Sequence, residues 1–597
     1  MTMMRRRCRT PGWGAGAGVW VSIVAVYLAC FLWIGHYGAF WSEDAGVKYL
    51  QVASMVRSCW TDATIAYPGR RIDPFLEFNP LRGTHTYVRD GTIRSIYPLA
   101  FPWISSLAYA RLGSPGLYLL PFVSTLLMIA LVQITGMRIS GRRNAAVMTL
   151  VAAFACPTFF YAFAFWEMNV AAAFLMAGVL LAFSAASSPR RPACTGILMG
   201  AAALFREESV LFIAASAIIL GVCRRDLRAG IALLLGAAVT GAGHLVADRL
   251  AGGPGIAHLM HNIVVRTREF GSAAAFIRYK LALSRELLFS GSPNAWFNLL
   301  LLAPWAGYLI ALGAMFRSGR AGRGCASRER VLLALLSLIL VSHCAYLALG
   351  TLSAYPVRLT PATSGLLMFS PWVAFATASC ARGWRRASAG AEAAGMEDRS
   401  PPLARELAML AALCIALICV FVPTSGGLQW GPRYLVIVYP LLAVVSCASF
   451  DAWRERSRHR TWLVALFVLF MLLGAANELR GIGFLKRKKE FNARAMECVR
   501  RYRADAVIAL PWWVPLNMAP IYYGEEFFSA RDPLDLDRLI GVLRGHGRKR
   551  FILITEDDPT IVIVMRERYG LAPADVQRVR MRGDDYFKLI VLGYTFE

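Results

Sequence analysis

The sequence predicts a polytopic α-helical membrane protein that ends in a small soluble α/β domain. Of its 597 residues, 57% are hydrophobic and only 17% are charged, and the mean hydropathy is +0.49. These values lie outside the range of ordinary soluble domains. Apolar runs recur along the chain at the length of ~20 residues that crosses a hydrocarbon core of ~30 Å. Only the last part of the chain has the composition of a soluble protein.

The charge pattern favours a membrane protein over a nucleic-acid-binding one. The formal net charge is +27, and the arginines occur in short runs between apolar stretches, such as RRRCR, SPRRP and RERSRHR. A nucleic-acid-binding protein concentrates its positive charge on one face or tail. Short basic loops between spans are instead typical of the cytoplasmic side of a membrane protein. We therefore expect a lipid bilayer as a partner and no nucleic acid.

Counting apolar runs gives roughly 13 transmembrane helices. The first runs from Val19 to Phe40 and the last from Thr461 to Asn477, so residues 1–477 are predicted to form the transmembrane domain. Two long polar segments interrupt it, 41–96 and 248–294. If the N-terminus is cytoplasmic, the arginine-rich loops fall inside and both long segments fall outside.

Residues 478–597 are predicted to form a soluble α/β domain on the same outer side. The runs ADAVIAL, RFILITE and DYFKLIVLGY have the pattern of buried strands, and DPLDLDRLIGVLRGHG has that of a helix. No glycine-rich phosphate loop accompanies these strands. The domain therefore shows no nucleotide-binding fingerprint.

The first candidate site is the stretch FWSEDAGVKYLQ, which follows the first span. It places Glu43 and Asp44 next to each other and Lys48 four residues after Asp44. Ser42 is a plausible N-cap, acids are favoured in the first turn of a helix, and an Asp-Lys pair at this spacing often lies on a helix surface. The motif alone is therefore compatible with a structural role and with a catalytic one.

Three further charged residues fall on the predicted outer face. Glu167 in FAFWEMNVAAAF stands between two spans, and Arg206 in ALFREESVLF breaks an apolar run into two short halves. Arg433 in GGLQWGPRYLV opens a helix after a tight turn. Each has a structural alternative: a helix end for Glu167, a self-neutralised surface turn for Arg206, and an interfacial side chain for Arg433. With Glu43 and Asp44, they supply acids for proton transfer and guanidinium groups that suit phosphate.

These four stretches, with SIYPLAFPWISSLAY, resemble the GT-C superfamily of integral-membrane glycosyltransferases, which includes protein O-mannosyltransferases and bacterial aminoarabinose transferases. The similarity lies in an acidic motif after the first span, a second external acid, a broken hairpin with an arginine and an external C-terminal part. Many relatives have Asp-Glu where this chain has Glu43-Asp44. The order leaves both acids as candidates for the base, and the continuation AGVKYLQ favours Asp44.

The resemblance implies an inverting transferase in the plasma (inner) membrane, with its active site outside the cytoplasm. It would move a sugar from a polyprenyl-phosphate carrier to an acceptor glycan, lipid or protein. The implied catalytic residues are Asp44, Glu43 and Glu167. The implied ligands of the donor phosphate are Lys48, Arg206 and Arg433.

Two other classes of function remain open at this point. A transporter or flippase of lipid-linked sugar would use the same cations, but it is expected to carry charge near the bilayer midplane and to show an internal repeat. An envelope polysaccharide polymerase or ligase also takes polyprenyl-linked substrates. The sequence requires no cofactor and no metal, although two carboxylates near a phosphate could hold a divalent cation.

Overall fold

The described part of the chain is mostly helical and contains several helices suited to a bilayer. The computed structural model describes residues 13–83, 85–183, 191–250, 270, 272–289, 295–317, 325–352, 365–377, 402–426, 429–556, 558, 560–583 and 587–596. Of the predicted external segment 248–294, residues 251–269, 271 and 290–294 lie outside these ranges.

Within these residues, six helical stretches are long and apolar enough to cross a membrane. They are Ala17–Ile34, Ser114–Phe154, Leu227–Arg249, Leu403–Phe421, Arg433–Arg456 and Arg460–Tyr502. Shorter apolar helices occur at Met168–Ala182, Ser209–Cys223 and Leu302–Ala314. The chain is thus a polytopic helical membrane protein, whereas the total of about 13 spans remains a prediction from the ~20-residue rule.

The helices are numbered in chain order. The bounds are α1 Trp13–Ile34, α2 Glu43–Arg57, α3 Ala100–Leu112, α4 Leu119–Phe154, α5 Thr158–Tyr161, α6 Met168–Ala182, α7 Arg191–Ala203, α8 Ser209–Cys223, α9 Leu227–Leu250, α10 Ala273–Leu288, α11 Ala295–Arg317, α12 Cys325–Leu352, α13 Leu366–Phe369, α14 Pro402–Phe421, α15 Tyr439–Arg456, α16 Arg460–Tyr502, α17 Val514–Asn517, α18 Pro533–Gly545 and α19 Thr560–Tyr569.

Helix α4 contains a sharp reversal in its arginine-rich middle. Gly141 has φ 78° and ψ 178°, a conformation that interrupts the helix and that glycine adopts without a Cβ clash. The two arms then pack closely, because a Cβ on Gly136 would lie 2.6 Å from the Met148 sulfur. The two apolar runs flanking this basic segment are therefore the arms of a hairpin. The predicted pair of short helices between Thr195 and Val222 is likewise present, as α7 and α8.

The C-terminal part contains a five-stranded sheet. The strands are β3 Ala506–Ala509, β4 Phe527–Ser529, β5 Arg550–Glu556, β6 Asp575–Arg580 and β7 Lys588–Thr595. Their order is β4-β3-β5-β7-β6, with β3 parallel to both β4 and β5 and with β7 antiparallel to both β5 and β6. The three predicted strands correspond to β3, β5 and β7, and the predicted helix is α18, capped by the Asp532 carboxylate, which accepts from the Asp535 N–H.

One continuous helix joins the membrane part to this sheet. Helix α16 is 43 residues long and ends at Tyr502, and the residue after it, Arg503, has a left-handed φ of 50°. It passes without a break through position 477, where the sequence places the domain boundary. Helix α16 also contacts the start of the predicted external segment 41–96: the Asn492 amide donates to the Phe40 carbonyl at 2.9 Å, and the Phe484 ring lies 5.3 Å from that of Trp41.

The segment 41–96, which is predicted to be external, packs against the sheet as well. It contains α2 and a hairpin of β1 Thr86–Arg89 and β2 Thr92–Ser95. The Ser529 N–H of β4 donates to the Phe78 carbonyl at 2.9 Å, and the hydroxyls of Ser54 and Tyr523 lie 2.5 Å apart. The acidic end of α2 thus lies between the helical bundle and the sheet.

Candidate active site

Helix α2 is buried, and this burial decides the role of its charged residues. Ser42 takes the extended N-cap conformation, but its hydroxyl makes no capping hydrogen bond. Every residue from Asp44 to Met55 is buried. The surface-pair reading of Asp44 and Lys48 is therefore wrong, because both side chains lie inside the protein and Lys48 forms its ion pair elsewhere.

Asp44 is surrounded by hydrogen-bond donors and positive charge. The Tyr97 hydroxyl donates to Oδ1 at 2.6 Å, and Arg433 Nη1 lies 3.2 Å from Oδ2. His85 Nδ1 lies 3.4 Å from Oδ1 and 2.8 Å from the Tyr97 hydroxyl. Burial by itself would raise the pKa of the Asp44 carboxyl, but Arg433, His85, Lys48 and the Tyr97 hydrogen bond hold that pKa well below its usual range. Asp44 is therefore a carboxylate at neutral pH.

Glu167 joins two cations from different parts of the chain. Its Oε2 lies 2.6 Å from Lys48 Nζ, and its Oε1 lies 3.1 Å from Arg206 Nη1. All three side chains are at least nine-tenths buried. Burial would raise the pKa of Glu167, but Lys48 and Arg206 lower it below the usual value. Glu167 stands just before α6 and does not cap it with its side chain, so its role as a mere helix end is not supported.

Arg206 lies in the turn between α7 and α8. It is also bound to Glu208, whose Oε1 accepts from the guanidinium Nε at 2.8 Å and lies 2.7 Å from Nη2. The charge of Arg206 is thus partly neutralised within its own turn by Glu208, as the structural alternative predicts. The turn is nevertheless buried, whereas that alternative places it at the surface. Its second contact, to Glu167, connects it to α2 through Lys48.

Arg433 is aimed into the protein by a rigid turn. The backbone of Trp430 is tied to Tyr161, whose hydroxyl donates to the Trp430 carbonyl at 3.0 Å, and the Trp430 ring stacks on Phe160 with centroids 5.5 Å apart. The Arg433 guanidinium lies over the Trp166 ring at 5.6 Å and reaches Asp44. The interfacial reading of Arg433 is therefore wrong. Its buried Nε has no hydrogen-bond partner among the described residues.

Glu43 occupies a different environment from its neighbour. It is half-buried, and its Oε1 accepts a hydrogen bond from the Asn517 amide at 3.3 Å. Burial raises the pKa of Glu43, while the nearby Lys488 opposes that rise. The two adjacent acids are thus shifted in opposite directions, which is the arrangement from which acid and base roles are often assigned.

Two residues of this cluster are not among the predicted site residues. Tyr97 lies in one of the quoted motifs, and His85 lies in a polar loop with no recognisable motif. A signal for both exists in Asp90-Gly91, which forms a two-residue turn with φ values of 52° and 69°. Such a turn fixes the register of a hairpin, and this register places His85 next to the start of the Tyr97 segment.

The arrangement does not fit a divalent cation. Among the described residues, no group of three or more His, Cys, Asp and Glu side chains could hold one. The oxygens of both central carboxylates already face donors: Tyr97 and Arg433 at Asp44, and Lys48 and Arg206 at Glu167. A metal there would lie beside these cations. The cluster is instead suited to accepting a proton and binding an anion.

Comparisons with known proteins identify structural neighbours only. Neither a family model nor a curated protein matches the chain. The structure of ArnT from Cupriavidus metallidurans bound to undecaprenyl phosphate is similar at a TM-score of 0.44 and 15% identity, covering 96% of this chain and 98% of that one. The Archaeoglobus fulgidus oligosaccharyltransferase in complex with Zn and sulfate has a TM-score of 0.42 and 14% identity, with coverages of 91% and 68%. Both neighbours are membrane glycosyltransferases of the GT-C superfamily, the superfamily that the sequence motifs resemble.

Proposed function

We propose that the protein is an integral-membrane inverting glycosyltransferase that moves a sugar from a polyprenyl-phosphate donor to an extracytoplasmic acceptor. The observation that carries this proposal is the contact between Arg433 Nη1 and Asp44 Oδ2 at 3.2 Å. It places a carboxylate able to accept a proton beside a guanidinium able to hold a departing phosphate. The acceptor is a hydroxyl-bearing glycan, lipid or protein.

In this mechanism Asp44 is the general base. It accepts the proton of the acceptor hydroxyl while that oxygen forms a bond to the anomeric carbon of the sugar. The bond between the anomeric carbon and the phosphate oxygen breaks, and its electron pair leaves with the phosphate. A single displacement of this kind inverts the anomeric configuration. Base assistance typically contributes a factor of ~10² to 10⁴ in rate.

The cations hold the donor phosphate and stabilise the charge that develops on it. Arg433 is best placed, because it touches Asp44 and its Nε has no partner among the described residues. Lys48 and Arg206 add two more positive charges, and Glu167 holds both side chains in place through its ion pairs with them. We therefore assign to Glu167 a positioning role rather than proton transfer. Positioned cations at a departing oxygen typically contribute ~3–4 kcal/mol.

Donor binding would also strengthen the base. In the free protein Arg433 lowers the proton affinity of Asp44. A phosphate that binds Arg433 brings negative charge next to Asp44 and competes for the same guanidinium, so it raises that affinity. The base thus becomes more effective once the donor has arrived, which disfavours proton uptake without a donor.

The position of the charges favours an enzyme over a transporter. Asp44, Glu167 and Arg206 lie at helix ends or between helices, and Arg433 precedes α15. Transport proteins are expected to carry such groups near the bilayer midplane. With a cytoplasmic N-terminus, we place the site and the C-terminal sheet outside the plasma (inner) membrane, in line with the distribution of arginines.

The test is transfer of radiolabelled sugar from a panel of polyprenyl-phosphate sugars by membranes that contain the protein. Wild type should transfer label in a carrier-dependent reaction, and Asp44→Asn should lower the rate by a factor of ~10² or more while its membrane level stays normal. The control is Asp62→Asn, an exposed acid of the same external segment. Full activity of Asp44→Asn, or movement of lipid-linked sugar across proteoliposomes without transfer, would contradict the proposal.

A further inference from the structure

An exposed tryptophan lies one ring away from the proposed base. The side chain of Trp512 is 56% exposed. Its ring stacks on His85 with centroids 6.1 Å apart and an interplanar angle of 28°. His85 Nδ1 in turn lies 3.4 Å from Asp44 Oδ1. A large flat apolar surface is therefore open to solvent at the edge of the candidate active site, and the loop that follows β3 supplies it.

The segment that carries Trp512 is held rigidly against α2. A Cβ on Gly46 would lie 1.9 Å from the Leu516 carbonyl oxygen, so the two backbones are in direct contact. At the start of the segment, the Leu510 N–H donates to the Ile554 carbonyl at 3.0 Å. The backbone on both sides of Trp512 is thus anchored, to β5 before it and to the first turn of α2 after it.

The adjacent tryptophan, Trp513, is occupied by contacts within the protein. The Trp513 Nε1 donates to the Glu556 carboxylate at 3.2 Å, and its ring lies over Lys488 at 5.0 Å. Trp513 is thus committed to contacts within the protein, whereas more than half of Trp512 is available to a ligand. The same two elements carry polar groups: Glu43, half-buried, precedes Asp44 in α2, and the buried Asn517 of α17, whose amide donates to Glu43, has an Oδ1 without a hydrogen-bond partner among the described residues.

A pyranose ring fits this combination of groups. Its C–H face is apolar and flat enough to cover an indole, while its hydroxyls need carboxylate and amide partners. We propose that Trp512 is the platform of an acceptor subsite, on which a pyranose ring of the acceptor stacks with one hydroxyl directed toward Asp44. This inference rests on the proposed function and extends it by assigning the acceptor class, a glycan or glycolipid.

The acceptor is favoured over the donor sugar because of where the cations lie. The proposed phosphate ligands Lys48, Arg206 and Arg433 gather around Glu167 and Trp166, and Arg433 faces Oδ2 of Asp44. Trp512 stacks on His85, which faces the other carboxylate oxygen, Oδ1. Both sugars share the same stacking chemistry, so the experiment has to separate them.

The first arm of the test measures binding without transfer. Protein labelled with 5-fluorotryptophan is placed in lipid nanodiscs, and the Trp512 signal is identified by its loss in Trp512→Phe. Methyl pyranosides should shift this ¹⁹F signal and leave that of Trp60 unchanged; Trp60 lies in segment 41–96, is 43% exposed and donates to Ser106. The absence of a shift of the Trp512 signal at saturating pyranoside would overturn the proposal. Broadening of that signal by a spin-labelled lipid, without a shift by pyranosides, would also overturn it and would assign Trp512 to the membrane surface.

The second arm measures kinetics. Trp512→Ala should raise the KM for the acceptor about tenfold, the scale of one lost aromatic contact, with the KM for the donor unchanged. Trp512→Tyr should restore most of the loss, and Trp60→Ala should change neither constant. A rise in the donor KM alone would assign the platform to the donor sugar. If no transfer is seen in wild type, the proposed function fails, while the ¹⁹F signal still decides whether Trp512 binds pyranosides.

Discussion

Replacing Arg433 with methionine tests the central contact of the site most directly. The change keeps an unbranched side chain but removes the guanidinium 3.2 Å from Asp44 Oδ2. At an effective dielectric constant of about 20, two unit charges at this distance attract each other by roughly 5 kcal/mol. Partial solvent access and the burial cost of both ions reduce the net value. The contact is nevertheless strong enough to control the protonation of Asp44.

Two effects of Arg433→Met are expected in the transfer assay. The loss of a cation at the departing phosphate should lower kcat by a factor of ~10² to 10³. The pKa of Asp44 is held low in the wild type partly by Arg433, so removing the guanidinium should raise it. The acid limb of the kcat/KM profile should then move to higher pH, because the base becomes protonated at a higher pH than before.

The assay is the pH dependence of sugar transfer between about pH 4 and 8 for wild type, Arg433→Met, Asp44→Asn and the double variant. Ordinary carboxyl pKa values lie near 4, so the acid limb of wild type should fall below this range and that of Arg433→Met should move toward it. Arg89→Met is the matched control, since Arg89 is exposed and paired only with its neighbour Asp90 among the described contacts. The double variant should be little worse than Asp44→Asn, because the two groups act together. An unmoved acid limb in Arg433→Met, or fully additive losses, would refute the coupling.

The remaining predictions concern the second acid, the contact with the sheet, and metal dependence. Glu167→Gln should lower the stability at neutral pH by about 3–5 kcal/mol, because two buried cations lose their shared partner. Because the pKa of Glu167 is lowered in the folded protein, its contribution to the free energy of unfolding is complete above the ordinary carboxyl pKa of about 4.3. The contribution disappears as the pH falls through the lowered pKa, and unfolding measured at several pH values checks this. Gly46→Ala should destabilise the protein by about 1–3 kcal/mol, because the added Cβ overlaps the Leu516 backbone. Gly541→Ala is the control: it lies in a helix with open space around it and should stabilise the protein slightly. Thermal unfolding in detergent compares the two variants, and equal effects would refute the close contact. Chelation with EDTA should leave transfer unchanged, since both central carboxylates already face other donors, and restoration of a lost rate by Mg²⁺ or Mn²⁺ would contradict this.

The sequence singles out charged residues that the structure brings together, but it does not predict which of them touch. Asp44, Glu167, Arg206 and Arg433 stand out because charges at the ends of apolar runs are costly unless they have a purpose. Their pairing is a tertiary property. Lys48 is four residues from Asp44 but binds Glu167, 119 positions away, because α2 is buried and its neighbours are set by packing.

The same distinction holds for the fold. Strong apolar periodicity predicts the strands of the sheet and the pair α7 and α8, since both patterns are local. The continuation of α16 beyond position 477 is not predicted, because its outer half is charged and its helical form depends on packing against the rest of the protein. His85 is not predicted as a site residue because only the hairpin register brings it to Asp44.

The unbroken course of α16 has a consequence for how this chain can vary in length. Each residue of an α-helix advances the chain by 1.5 Å and turns it by about 100°. A single insertion or deletion anywhere between Arg460 and Tyr502 would therefore rotate the whole sheet and carry Trp512 and Asn517 away from α2. We expect natural variants to keep the length of helix α16 constant and, in the C-terminal part, to accommodate insertions only in the loops beyond Arg503.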